Sequence, residues 1–196
     1  MTDREYLREY WMKTLAAALL SVFIVINSPV SAHALMIPNN LQSLPESISK
    51  AGIRVALNDN NLCGKDALGT YFPGTDTILI CQSEAQPGDS EHKWSERDYS
   101  VLMHESTHLL QDCLSGSTSD YTLVPINQTR EELESYSEEL SDDQVAWIIE
   151  TYTEHGADDL TLWLEIEAFS TQTSADPGVL SAAIDRTCPM RWTSRE

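Results

Sequence analysis

Positive charge is what this sequence has least of: 12 Lys and Arg stand against 31 Asp and Glu, a formal net charge of −19. A surface so poor in Lys and Arg offers no footprint for a phosphate backbone or for anionic headgroups. Nucleic acid is thereby excluded as a partner, and binding to an acidic membrane surface is disfavoured. Long apolar runs are also missing. The longest, Thr14 to Ile26, falls short of the ~20 residues that a bilayer-spanning helix needs. No two of the four cysteines share a C-x-x-C spacing, so a thiolate zinc site is not expected. There is no internal repeat and no low-complexity block.

The short apolar run has a different reading. It follows Arg4, Arg8 and Lys13, and it precedes Asn27-Ser28-Pro29 and the small-x-small triplet Ala32-His33-Ala34. That is the layout of a secretory signal peptide over 1–34, cleaved near Ala34, with a retained membrane anchor as the alternative. The protein is therefore expected to be exported, periplasmic or secreted, with no stable membrane association after cleavage. What remains, 35–196, is expected to be a single domain of about 160 residues, long enough to enclose a core. Asp3, Glu5 and Glu9 balance the basic residues of the leader, so the whole acidic excess stays with that domain. An exported chain with Cys63, Cys81, Cys113 and Cys188 is expected to form two disulfides. Cys63–Cys81 closes a local loop and Cys113–Cys188 ties the tail to a helix, and this is the pairing expected.

The patterning points to an α+β domain in which a small antiparallel sheet is followed by a mostly helical region. Ile53 to Leu57 reads as a strand. Gly69 to Cys81 reads as a hairpin turning at Pro73-Gly74, with a β-branched, apolar second arm. After Trp94 the chain reads as helix. Ser95 and Gly116 bound a helix over 96–114. Thr129 with Glu132 and Ser141 with Gln144 have the spacing of capping boxes for helices over 130–140 and 142–155. Gly156 breaks the run, and further helices are expected over 158–173 and, from Pro177, over 177–186.

Within the first of those helices lies Leu102-Met-His-Glu-Ser-Thr-His-Leu-Leu-Gln-Asp112. Residues four apart share a helix face, so His104 and His108 present two imidazoles to one ion. Glu105 lies about 100° around the axis, where its carboxylate can reach a water beside the metal without ligating the metal. This is the H-E-x-x-H arrangement, two zinc ligands with a general base between them. A catalytic zinc takes three protein ligands, so a third is required. A metzincin-type continuation fails, because positions 111 and 114 hold Gln111 and Leu114. Asp120, in a loose match to an aspzincin tail, and His155 are weaker options. Leu162-Trp-Leu-Glu-Ile-Glu-Ala-Phe169 carries two carboxylates, Glu165 and Glu167, in an otherwise apolar helix, where a cation would compensate them. Two residues apart on a helix, they diverge by about 200° and cannot both face one metal.

The segment His104-Glu105-Ser106-Thr107-His108 through Asp112 to Gly116 resembles the active-site helix of the gluzincin metallopeptidases, the thermolysin-like group. In size the chain is closer to the minimal members of that group, the minigluzincins. The resemblance covers about thirty residues and implies a zincin-like fold, a bound Zn²⁺ and hydrolysis of peptide bonds in a peptide or protein substrate. It implies that the third ligand is a Glu followed by Ala, which selects Glu167-Ala168 and leaves Glu165 as the alternative. It also implies an extended substrate laid along a sheet edge, for which Thr77 to Ile80 is the nominated strand. Glu167 stands 59 positions after His108, a longer gap than in thermolysin-like enzymes, so the substrate site is not assigned by the resemblance.

Other residues have expected supporting parts. Glu105 is the catalytic base. Asp112, one turn past His108, would orient a histidine, with Ser170 or Thr171 doing the same for the other. Tyr121, Tyr136, Tyr152 and His155 lie between the ligand helices, and Tyr152 and His155 share a helix face from which a donor could assist the reaction. The alternative function is a catalytically inactive, metal-stabilised peptide-binding protein of the cell envelope. Nothing in the sequence indicates an oligomeric state.

Overall fold

A computed structural model of the chain describes residues 43–63, 68–119 and 121–188; the expected leader and Asp120 lie outside them. Six helices and three strands follow in the order α1 (Ser43–Lys50), β1 (Arg54–Leu57), β2 (Gly69–Phe72), β3 (Thr77–Ile80), α2 (Glu96–Leu114), α3 (Arg130–Tyr136), α4 (Asp142–Glu154), α5 (Asp159–Ser174) and α6 (Pro177–Thr187). The α+β class holds. No helix among the described residues is long and apolar enough to cross a membrane.

The sheet is mixed rather than purely antiparallel. Its order is β1-β3-β2, with β1 parallel to β3 and β2 antiparallel to it in a hairpin. The turn forms where Pro73-Gly74 indicated, and Gly74 sits at φ +76°, a conformation that costs glycine little. Because the apolar arm β3 is the middle strand, Ile78, Leu79 and Ile80 are all buried. Thr77 to Ile80 is therefore not an edge. The strand with an open side next to the helices is β2, and among the described residues only β3 pairs with it.

Helix α2 is the axle of the domain. Ser95 caps it in a reciprocal box with Asp98, and the same Asp98 carboxylate takes the Ser83 N–H at 2.8 Å. The helix start is thereby pinned to the chain leaving β3. Every residue from Val101 to Cys113 is buried, because the sheet, α5 and α6 enclose the helix from different sides. Leu102 and Leu109 of α2 share the core with Ile78, Ile80, Ile148 and Ile184. Each such fully buried side chain contributes about 1.5–3 kcal/mol relative to exposure. Gly69 permits the close approach of β2 to this helix. A Cβ there would lie 2.4 Å from Val101 Cγ1 and 3.1 Å from a carboxylate oxygen of Glu105.

Helices α3 and α4 begin where their capping boxes predict. Thr129/Glu132 and Ser141/Gln144 both form complete capping boxes. Asp158 caps α5 and Asp176 caps α6. Helix α3 stops at Tyr136, shorter than expected, because Ser137 caps its end before Ser141 opens α4. Both disulfides join as expected, Cys63 to Cys81 and Cys113 to Cys188. The second locks the end of α2 to the end of α6, and such crosslinks are characteristic of extracellular proteins.

Candidate metal centre

His104 and His108 project from α2 into a cleft of about 270 Å³ between β2 and the helices, lined also by Gly69, Thr70, Tyr71, Pro73, Glu105, Leu123, Tyr152 and Glu165. The two histidine Nε2 atoms are 3.2 Å apart. Glu165 closes the triangle, with Oε2 at 3.3 Å from His104 Nε2 and Oε1 at 3.5 Å from His108 Nε2. Together they form a His-His-Glu group able to hold a metal ion. The fit is close, since donors bound tetrahedrally at ~2.0–2.1 Å are about 3.3 Å from one another.

Glu165, and not Glu167, is thus the acid that faces the imidazoles. Glu167 is fully buried and fully committed elsewhere. It accepts from Gln111 Nε2 (2.9 Å), Ile126 N (2.9 Å), Asn127 N (2.7 Å) and Asn127 Nδ2 (2.8 Å). The reason is the position of each acid around α5. Leu164, Glu167, Ala168 and Thr171 form its most buried stripe, at helical spacing, whereas Glu165 lies on the margin that opens to the cleft. The Glu-Ala pairing that selected Glu167 marks a core-facing acid in this chain.

Burial alone would raise the Glu165 carboxyl. The hydrogen bond from His104, the charges of His108 and His104 and the Tyr152 hydroxyl outweigh it, and hold the group below its ordinary value. Tyr152 itself is pushed up by burial and by the adjacent Glu165. Phe169, one turn beyond Glu165, sets its ring edge-on to His104 at 4.6 Å and fixes the imidazole from behind.

Glu105 stands beside this triangle. Its Oε2 accepts the Tyr71 backbone N–H at 2.6 Å, and the side chain is only 7 % exposed. Burial is the main reason its carboxyl rises from 4.5 to about 7; His108 and the Tyr71 N–H oppose the rise and Glu165 adds to it. A carboxyl that changes protonation near neutrality has the property required of a general base.

The remaining expected residues are distributed differently. Asp112 is buried and accepts the Tyr71 hydroxyl, so it braces β2 against α2 rather than a histidine. The His108 Nδ1 partner is Gln111 Oε1 at 2.7 Å, and His104 Nδ1 has none among the described residues. Ser170 and Thr171 donate back to the α5 carbonyls of Ile166 and Glu167, so neither serves a histidine. Tyr136 meets Thr171, and Tyr121 is exposed over Gly74. His155 caps the end of α4, exposed, with its ring on the Thr151 carbonyl, and it does not line the cleft. Of the expected donors only Tyr152 does. Gln111 was missed, although its place three residues after His108 puts it on the same helix face. Tyr71 and Gly69 lie in the hairpin and carry no motif that would have marked them. No known protein family, no curated protein and no solved structure matches the chain.

Proposed function

We propose that the protein is an exported zinc metallopeptidase of gluzincin-like design, hydrolysing peptide bonds with Glu105 as general base. The observation that carries this reading is the combination at one cleft of a His104–His108–Glu165 donor triangle with a buried carboxyl whose pKa lies at about 7. A metal site kept only for stability has no use for that second carboxyl. Histidine and carboxylate donors at tetrahedral spacing favour zinc among divalent ions. When bound, zinc supplies Lewis-acid polarisation of a carbonyl and acidification of a water.

The chain's own residues supply the rest. Glu105 Oε2 is held by Tyr71 N–H, which leaves Oε1 to take a proton from the attacking water and return it to the departing amine nitrogen. The Tyr152 hydroxyl lines the cleft and donates its one proton to Glu165; turned away from that carboxylate, it would donate to an oxygen that gains negative charge. Strand β2 offers the substrate its outer edge. Since Tyr71 N–H points away from β3, alternation in the antiparallel ladder turns the Gly69 and Tyr71 carbonyls and the Gly69 N–H outward as well. An extended peptide pairing there runs directly past Glu105.

The test compares the full chain, its Glu105→Gln variant and the EDTA-treated protein against an unstructured peptide library, with zinc measured by elemental analysis. The reading expects about one bound zinc, cleavage by the native protein, and a loss of roughly 10²–10⁴-fold in the variant with zinc retained. Zinc bound without any cleavage would favour the peptide-binding alternative, and an active Glu105→Gln variant would remove Glu105 from the mechanism.

A further inference from the structure

We infer that Glu167 and Gln111 are positioning residues that set the tautomer of His108. The inference rests on His104, His108 and Glu165 being a metal site. A metal needs the lone pair of His108 on Nε2, the atom that faces His104 and Glu165. The proton must then sit on Nδ1, and something must hold it there.

The geometry dictates that proton step by step. Glu167 is surrounded by four N–H groups, two on each oxygen, and a carboxylate satisfies them without a proton of its own. The amide of Gln111 touches two acceptors at one end, Glu167 Oε2 at 2.9 Å and the Leu164 carbonyl at 3.0 Å. That end is therefore the NH₂. The other end, 2.7 Å from His108 Nδ1, is the carbonyl oxygen, which can only accept. His108 Nδ1 is left as the donor, so that whenever the ring is neutral its lone pair is on Nε2. Glu167, Gln111 and His108 are buried, so water has little access to the bonds that link them. Glu167 also holds Ile126 and Asn127, and Val124 N–H bonds the Gln111 carbonyl at 3.0 Å, so one acid fixes the loop beside the cleft and the ligand ring together.

Exchanging the two side chains tests the relay. Glu167→Gln places an NH₂ among donors and allows the Gln111 amide to turn, presenting its NH₂ to His108. In the double variant Glu167→Gln/Gln111→Glu, a carboxylate at 111 again accepts from His108, while it faces the Leu164 carbonyl and the new NH₂ faces the Ile126 N–H. The measurements are the nitrogen-15 tautomer signature of His108 in the full, EDTA-treated protein and the dissociation constant for Zn²⁺. The native chain is expected to show the proton on Nδ1. Glu167→Gln is expected to lose that signature and bind zinc about 10–100-fold more weakly, with the double variant regaining the Nδ1 signature. If Glu167→Gln does not fold, Gln111→Leu leaves the loop donors of Glu167 in place and is expected to show the same two changes. A native His108 carrying its proton on Nε2, or a folded single variant with unchanged zinc affinity, overturns the inference. The tautomer is read without metal and without substrate, so failure of the relay is distinguishable from failure of the peptidase reading.

Discussion

Replacing Glu105 by Gln should change how the stability of the metal-free protein depends on pH. In the folded chain the Glu105 carboxyl is raised from 4.5 to about 7, chiefly by burial. Between those values the unfolded chain releases its proton while the folded chain keeps it. Folding therefore loses stability as pH rises through that window: the penalty is absent below about 4.5 and levels off above about 7. At about 1.4 kcal/mol per pH unit the full effect is about 3 kcal/mol, a large share of a small domain's stability. Glutamine has the shape of the protonated acid, and its amide oxygen still accepts the Tyr71 N–H, so the variant should lack this slope. Urea unfolding of both proteins in EDTA, at intervals from about pH 4.5 to pH 8, gives two stability curves. Their difference isolates Glu105, because the other titrating groups are common to both. The variant should overtake the native chain progressively, by about 2–3 kcal/mol at the upper end. A flat difference, or one in which the native chain gains with pH, would refute the claim that Glu105 is buried at a cost.

Three further outcomes follow from the geometry. Glu165→Ala should lower zinc affinity by at least about 100-fold in calorimetric titration while the fold persists, whereas Glu167→Ala should destabilise the metal-free protein by about 2–3 kcal/mol in urea, because one buried and three half-buried donors lose their acceptor. Gly69→Ala should cost about 1–3 kcal/mol and reduce cleavage, since its Cβ would displace β2 from Val101 and from Glu105; thermal melting and peptidase assay check both. Replacing Cys113 and Cys188 by Ser should lower stability by about 4 kcal/mol in urea, the loop-closure value for a separation of 75 residues.

Much of the frame was legible because it depends on local chemistry. Side-chain caps announce helix starts: Thr129 and Ser141 form the boxes that their spacing indicates, and Ser95 is the cap that it reads as. The His104–Glu105–His108 arrangement follows from helical geometry alone. What escaped depended on long-range packing. Helix α1 carries Pro45 in its first turn, where a missing N–H is tolerated, and has only eight residues to show a period. The place of β3 between two partners is set by β1 returning parallel to it, which no local signal encodes. The choice between Glu165 and Glu167 turned on which stripe of α5 meets the core. The apolar neighbours on nearly every side hid that difference, and a Glu-Ala pairing pointed to the wrong acid. Gln111 was overlooked because an uncharged amide attracts notice only when its partners are known.

The bond between Glu105 and the Tyr71 backbone has a consequence outside catalysis. An open strand beside a groove invites a second copy of the same chain to dock along it and start a growing stack. By occupying one N–H of a four-residue strand, the carboxylate takes one rung from any chain that pairs along β2, leaving substrate and second copy alike the Gly69 N–H and the Gly69 and Tyr71 carbonyls. A Gln at this position keeps an oxygen for the same rung, which makes it a safer choice than Ala for an inactive form intended to stay in solution at high concentration.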